Sequence, residues 1–311
     1  MKRVKVLGVL VAAGGLSLAV VSGQAPPAGP STKALAATKI EKVKDNLYII
    51  TGSSASEEDA FSGGNVAVFI TDGGVTIVDA KLPGWGQVIV DRVKTVTGKP
   101  ITRIINTHTH GDHTGSNEFF GASIENIVQE NTKANMAKMD EFKGAKAQFL
   151  PKKTYKDTMT IGSGKDEIDL YYFGRGHTNG DSFVVFKALR TMHVGDIFAW
   201  KALPYVDAGN GGSVIEQPKT LAKAIATVKN VDTIVNGHIP VSTWNDLKEY
   251  AQFTKEFADF AEKEMRAGKT AAQAAGEYKL DPKYKGYVVS VNPEFGSARS
   301  NMDIAYTELK K

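Results

Sequence analysis

Three imidazoles and a carboxylate crowd into seven residues, Thr107-His108-Thr109-His110-Gly111-Asp112-His113. The chain has only six histidines, and a residue this rare that clusters this tightly serves chemistry, because core packing has no use for neighbouring imidazoles. Imidazole nitrogen and carboxylate oxygen are ligands for zinc, and iron and manganese tolerate them. The other histidines, His177, His193 and His238, stand singly beside glycines or at expected strand ends. No cysteine is present, so a thiolate site is excluded. The candidate donors are His108, His110, Asp112, His113, His177, Asp196 and His238, too many for one tetrahedral ion and suited to two ions sharing a bridge. His193 is left out: it lies three residues before Asp196 in an expected strand, where alternation turns it to the opposite face.

Such a cluster needs a rigid strand end beneath it. Residues 101–106 form an apolar, β-branched run, and His108 and His110, two apart, share a side where that strand ends. Gly111 permits the turn that swings Asp112 and His113 back toward the same point. Strands are predicted at 47–51, 65–71, 75–80, 101–107, 124–129, 167–173, 182–187, 191–196 and 232–236, with Thr71-Asp72-Gly73-Gly74 as a hairpin turn. Helices are predicted at 84–97, 116–120, 130–141 and 214–229, and the alternation gives an α/β class. Gly209-Asn210-Gly211-Gly212-Ser213 lacks the lysine and spacing of a phosphate loop; Ser213 and Glu216 instead read as a capping box. Trp244, Leu247, Phe253, Phe257, Phe260 and Met265 recur at helical spacing, a stripe suited to core packing. Residues 281–311, with Tyr284, Tyr287 and Phe295, suggest no role.

The motif resembles the hallmark His-x-His-x-Asp-His turn of the metallo-β-lactamase superfamily, followed by three isolated ligands on later strand ends. The likeness runs from about Asn46 to about Trp244, and Gly-His-Thr-Asn-Gly-Asp-Ser at 176–182 and His-Val-Gly-Asp-Ile-Phe at 193–198 are similar to broad-specificity members grouped with glyoxalase II. The resemblance implies a four-layer αββα sandwich. It implies that His108, His110 and His177 hold a first metal, that Asp112, His113 and His238 hold a second, and that Asp196 bridges them. Class B β-lactamases carry cysteine or serine where this chain has Asp196; a bridging aspartate is typical of glyoxalase II, lactonases and phosphodiesterases. Flavodiiron proteins replace the second histidine of the motif by glutamate, and this chain keeps His110.

Residues 1–25 have the basic start and apolar run of a secretory signal peptide, cleaved after Ala25 or after the Ala34-Leu35-Ala36 triplet. The apolar run is short for a bilayer span, which needs about 20 residues, so no stable membrane insertion is expected after cleavage. Residues 26–37, rich in proline and glycine, read as a flexible linker, and 38–311 as one catalytic domain with a helical extension from about 243. The formal net charge is +4, but residues 1–36 hold four of the 38 basic residues and none of the 34 acids. The remainder is therefore neutral, with no footprint for nucleic acid. The expected partner is a small-molecule substrate, the expected location periplasmic or secreted, and the oligomeric state stays open.

These features predict an exported zinc hydrolase with two Zn2+, iron or manganese being alternatives. A metal-bridging hydroxide would cleave an ester, thioester, lactone or lactam bond, with Asp112 as catalytic residue orienting it and shuttling its proton. Substrate contacts are expected from 53–64 and from 200–210, especially Trp200, Lys201, Tyr205 and Asn210, with Lys201 meeting a substrate carboxylate. Asn106, Thr109 and Asp181 are candidates to support the ligands. Two rivals remain: a mononuclear iron persulfide dioxygenase, which keeps the whole motif, and a non-catalytic metal-binding protein.

Overall fold

The computed structural model describes residues 30–52, 57–290 and 296–310. The expected signal peptide, residues 53–56 of the first substrate stretch and Phe295 lie outside the described residues.

Among the described residues, thirteen strands form two sheets. The first runs β1 (Ile40–Lys44), β2 (Leu47–Ile50), β3 (Val66–Thr71), β4 (Gly74–Val78), β5 (Ile101–Ile105), β6 (Glu125–Gln129) and β7 (Lys153–Tyr155), in that order. The second holds β8 (Thr158–Ile161), β9 (Ile168–Tyr171), β10 (Phe183–Phe186), β11 (Thr191–Gly195), β12 (Thr233–Asn236) and β13 (Ser242–Thr243), in spatial order from β13 back to β8. Helices α1 (Thr32–Ala37), α2 (Gly86–Lys94), α3 (Gly111–Thr114), α4 (Glu130–Met136), α5 (Gln217–Thr227), α6 (Trp244–Arg266), α7 (Ala271–Glu277) and α8 (Ala298–Leu309) complete the order.

The period of two along the strands produces the layers. In β3, Ala67 and Phe69 face inward while Val66 and Val68 face α2, where they meet Ile89 and Val93. In β10, Val184 and Phe186 join that inner layer, whereas Phe183 and Val185 turn outward. There they pack with Leu221 of α5, Leu247, Phe253 and Phe257 of α6, and Met302 of α8. Both sheets are therefore apolar on two faces and covered by helices, the expected αββα sandwich. Leu247, Phe253 and Phe257 of the predicted stripe are buried in this core, and Trp244, Phe260 and Met265 pack against it.

Several expectations need correction. Residues 32–37 of the supposed linker form α1: the Ser31 hydroxyl accepts from Ala34 N at 3.0 Å, and Arg92 donates to the carbonyls of Leu35 and Thr38 at 3.0 and 2.9 Å. A capped alanine-rich segment with a tertiary anchor outweighs the prolines before it. Ser213 accepts from Glu216 N at 2.9 Å, but α5 starts only at Gln217, and the Glu216 carboxylate takes Lys219 at 2.8 Å instead of closing a capping box. Strand β1, with three charges in five residues, escaped prediction because an edge strand needs only one covered face. The expected helix at 116–120 is a 3-10 turn, Asn117–Phe120.

Candidate metal centre

The ligands arrive from the ends of both sheets. Strand β5 delivers His108 and His110, α3 carries Asp112 and His113, the loop after β9 carries His177, a 3-10 turn after β11 carries Asp196, and the loop after β12 carries His238. Two groups result: His108, His110, His177 and Asp196, and Asp112, His113, Asp196 and His238; in each, the ligand atoms lie within 4.8 Å of one another. Asp196 belongs to both. His110 Nδ1 is 2.9 Å from His177 Nε2, His113 Nε2 is 3.4 Å from His238 Nε2, and Asp196 Oδ2 is 3.0 Å from His238 Nε2. Gly237 allows this approach, since a Cβ there would stand 1.8 Å from Asp196 Oδ1.

The donor chemistry fits a metal. His108 Nε2 is buried without a hydrogen-bond partner among the described residues, a costly state that a bound cation relieves, and Asp196 Oδ1 has only His113 Nε2 near it, at 3.2 Å. In four of the five ligand rings the nitrogen facing away from the centre is held, whereas His238 Nδ1 is buried without a hydrogen-bond partner among the described residues. His113 Nδ1 meets Asp79 Oδ2 at 2.7 Å, His110 Nε2 meets Asp207 Oδ2 at 2.7 Å, and His177 Nδ1 meets the Tyr205 carbonyl at 2.6 Å. His108 Nδ1 lies 3.0 Å from Thr107 Oγ1, which itself donates to Asp79 at 2.8 Å. Such contacts fix each ring's tautomer and aim the other nitrogen inward.

Electrostatics divide the two groups. Burial holds His108 well below the usual histidine range and His177 down to about 4, so both offer neutral lone pairs. Burial also opposes charge on His113 and His238, yet the carboxylates of Asp196 and Asp112 outweigh it, raising His113 well above its ordinary value and His238 to about 9. Burial pushes Asp112 and Asp196 upward, but the facing histidines prevail and both stay ionised.

Around the ligands stand three half-buried rings. Phe61 and Trp200 lie 5.6 and 5.8 Å from the His238 ring, and Tyr205 lies 5.8 Å from His110 and 5.6 Å from His177. Lys201 does not face this mouth as expected: its ammonium meets Asp246 at 2.7 Å and Glu249 at 3.9 Å on α6. Asn210 is likewise engaged, donating to Asp207 Oδ2 at 2.7 Å and so bracing the partner of His110. His193 is apart from both groups, with Nε2 3.3 Å from the Asn65 carbonyl. Of the proposed supports, Asn106 donates to the His113 carbonyl at 3.0 Å, Asp181 accepts from Thr178 N and Oγ1, and the Thr109 hydroxyl donates to Met139 Sδ.

Sequence reasoning missed Asp79 and Asp207. Asp79 has φ +70° and ends the apolar run of β4, and a charge closing a fully buried strand was the available signal. Asp207 gave none, because only folding brings it 97 residues back to His110.

Fold and site together define a metal-dependent hydrolase. The model of the metallo-beta-lactamase superfamily matches residues 60–238, and the chain belongs to that superfamily. The metallo-beta-lactamase type 2 of Elizabethkingia meningoseptica is 28% identical over 215 residues, covering 67% of this chain and 80% of that protein. Metallo-beta-lactamase IND-1 of Chryseobacterium indologenes is 25% identical over 203 residues, covering 63% and 80%. Among solved structures, TMB-1 aligns with a TM-score of 0.59 at 18% identity over 70% of this chain and 97% of its own. A variant of the sec-alkyl sulfatase PisA1 aligns with a TM-score of 0.68 at 12% identity, over 89% of this chain and 51% of its own. These two likenesses concern the fold alone.

Proposed function

We propose that this chain is an exported dinuclear zinc hydrolase of ester, thioester, lactone or lactam bonds. The observation that carries it is the sharing of Asp196 between two complete ligand groups. Metal ions held there supply Lewis acidity and acidify a bound water toward neutrality. His108, His110 and His177 with Asp196 would hold one ion; Asp112, His113 and His238 with Asp196 would hold the other. A persulfide dioxygenase with one iron would keep the same residues, so metal count and oxygen uptake decide between the two readings.

Asp112 is the proposed proton carrier. It stays ionised, and its Oδ2 lies 3.4 and 3.3 Å from the Nε2 atoms of His113 and His238, so it can take a proton from the nucleophile and pass it to the leaving group. Trp200 and Tyr205 would press apolar substrate surface against the ligands. A cleft of about 660 Å3 between β1 and residues 238–243 reaches the ligands only at His238. Lys201 is committed to Asp246 and is not assigned to a substrate carboxylate.

The test is elemental mass spectrometry on protein purified without added metal, followed by a panel of ester, thioester, lactone and lactam substrates. Close to two zinc per chain with turnover of one class supports the reading, and one iron with oxygen uptake refutes it. His110→Ala should lose metal and activity together; full retained activity would remove His110 from the site. Export is tested by sequencing the N-terminus of the mature protein, expected to follow Ala25, because cleavage after Ala36 would remove most of α1.

A further inference from the structure

Behind the second ligand group lies a lysine that neither metal binding nor the proposed chemistry uses. Lys81 is fully buried, with φ +56°, a left-handed backbone uncommon for a side chain of its size. Its ammonium donates to the Thr51 carbonyl, the Ser62 hydroxyl and the Gly64 carbonyl, each at 3.1 Å. Among the described residues no carboxylate stands within ion-pair distance of it. Three acceptors around one nitrogen call for three N–H groups, which an ammonium supplies. A cation buried without a direct ion pair is costly, and such an arrangement persists only where the surrounding structure holds it.

The acceptors show what depends on it. Thr51 follows β2, whereas Ser62 and Gly64 lead into β3, so the ammonium ties two separate stretches together. The Leu82 amide donates to the Ser62 carbonyl at 3.2 Å, reinforcing the tie. Residues 61–64 in turn lie against the ligands. Gly64 N donates to the Asp112 carbonyl at 3.0 Å, and a Cβ on Gly64 would stand 2.1 Å from His113 Cε1. Phe61 faces the His238 ring.

We propose that Lys81 is a positioning residue whose ammonium staples residues 61–64 in place, so that Phe61 forms one wall of the substrate site beside His238. Resting on the hydrolase reading, this assigns Lys81 to substrate affinity and not to metal retention or bond cleavage.

The test compares Lys81→Met, similar in length but without donors, with the parent as metal-loaded full-length protein and p-nitrophenyl butyrate as probe. KM is expected to rise about tenfold or more while kcat stays within about twofold, as for a displaced binding wall. Metal content per chain is expected to stay unchanged. Because the chain has no cysteine, Lys81→Cys can be alkylated uniquely with 2-bromoethylamine in denaturant and refolded, which restores an amine of nearly the same reach and should restore KM. Should Lys81→Met fail to fold, Ser62→Ala removes one acceptor and should raise KM less, in the same pattern. Hydrogen exchange at the Gly64 amide reads the staple without turnover and should quicken in Lys81→Met. That measurement stands even if the parent cleaves no substrate, a result that would overturn the hydrolase reading alone. Unchanged exchange with unchanged KM, or loss of metal in step with kcat, overturns the role of Lys81.

Discussion

Asp79 holds two parts of the site at once: it accepts from Thr107 N at 2.7 Å and Thr107 Oγ1 at 2.8 Å, and it meets His113 Nδ1 at 2.7 Å. Asp79→Asn keeps the volume but loses the charge that orients His113, and should lower metal affinity about 10- to 100-fold, as measured by chelator competition. Protonation of His113 and His238 gives a second expectation. Both have raised values, about 9 for His238, so the metal-free centre carries protons near pH 7 that bound metal must displace. Affinity should therefore climb from pH 6 to pH 9; a flat profile would argue that these rings are not ligands. Lys81 gives a third, with the opposite kind of shift. Burial draws its amine down from 10.5 to about 7, so above pH 7 the folded chain gives up a proton that the unfolded chain keeps. Its contribution to stability is then full above pH 10.5, is lost as pH falls toward 7, and is constant below. Denaturant titrations of Lys81→Met should lack that slope relative to the parent, and equal slopes would place the lysine in contact with water.

At the scale of elements, α6 links the core to the rim of the site. Phe257 is buried in the outer apolar layer, and Phe257→Ala should cost about 3–5 kcal/mol in denaturant unfolding without changing KM. The N-terminus of α6 is closed by a reciprocal box in which Thr243 Oγ1 accepts from Asp246 N at 3.2 Å and Asp246 Oδ2 accepts from Thr243 N at 2.9 Å. The same Asp246 engages Lys201. Lys201→Ala should thus leave the affinity for carboxylate-bearing substrates unchanged, and a large rise in their KM alone would show that the ion pair opens to admit them. Loops just beyond strand ends deliver four of the seven ligands, His108, His110, His177 and His238, where backbone can bend freely while the sheets hold the strand ends rigid.

At the scale of the molecule, no disulfide ties the chain, so the sandwich core and the metals share the task of holding it together. The inner layer and both outer layers are independent of the ligands, and chelation should lower Tm while far-ultraviolet circular dichroism at 25 °C stays that of the folded protein. Global unfolding on metal removal would make the centre part of the core. Among the described residues no helix is long and apolar enough to cross a membrane.

The sequence alone determined the ligand types and the class of fold, because both are written locally. The turn from His108 to His113 is a run of six residues, and the strands of the inner layer show their period of two over about five. It also carried the core role of the stripe from Trp244, since helical spacing survives without knowledge of what the helix meets. Tertiary structure decided which groups serve the ligands. Asp207 reaches His110 across 97 residues, Asp79 reaches His113 across 34, and Lys81 gathers acceptors from two separate stretches. It also withdrew Lys201 from the mouth, because Asp246 on a distant helix is the nearer charge. Local pattern records which atoms a residue offers, whereas the partner that claims them depends on distances that exist only once both sheets have closed on each other.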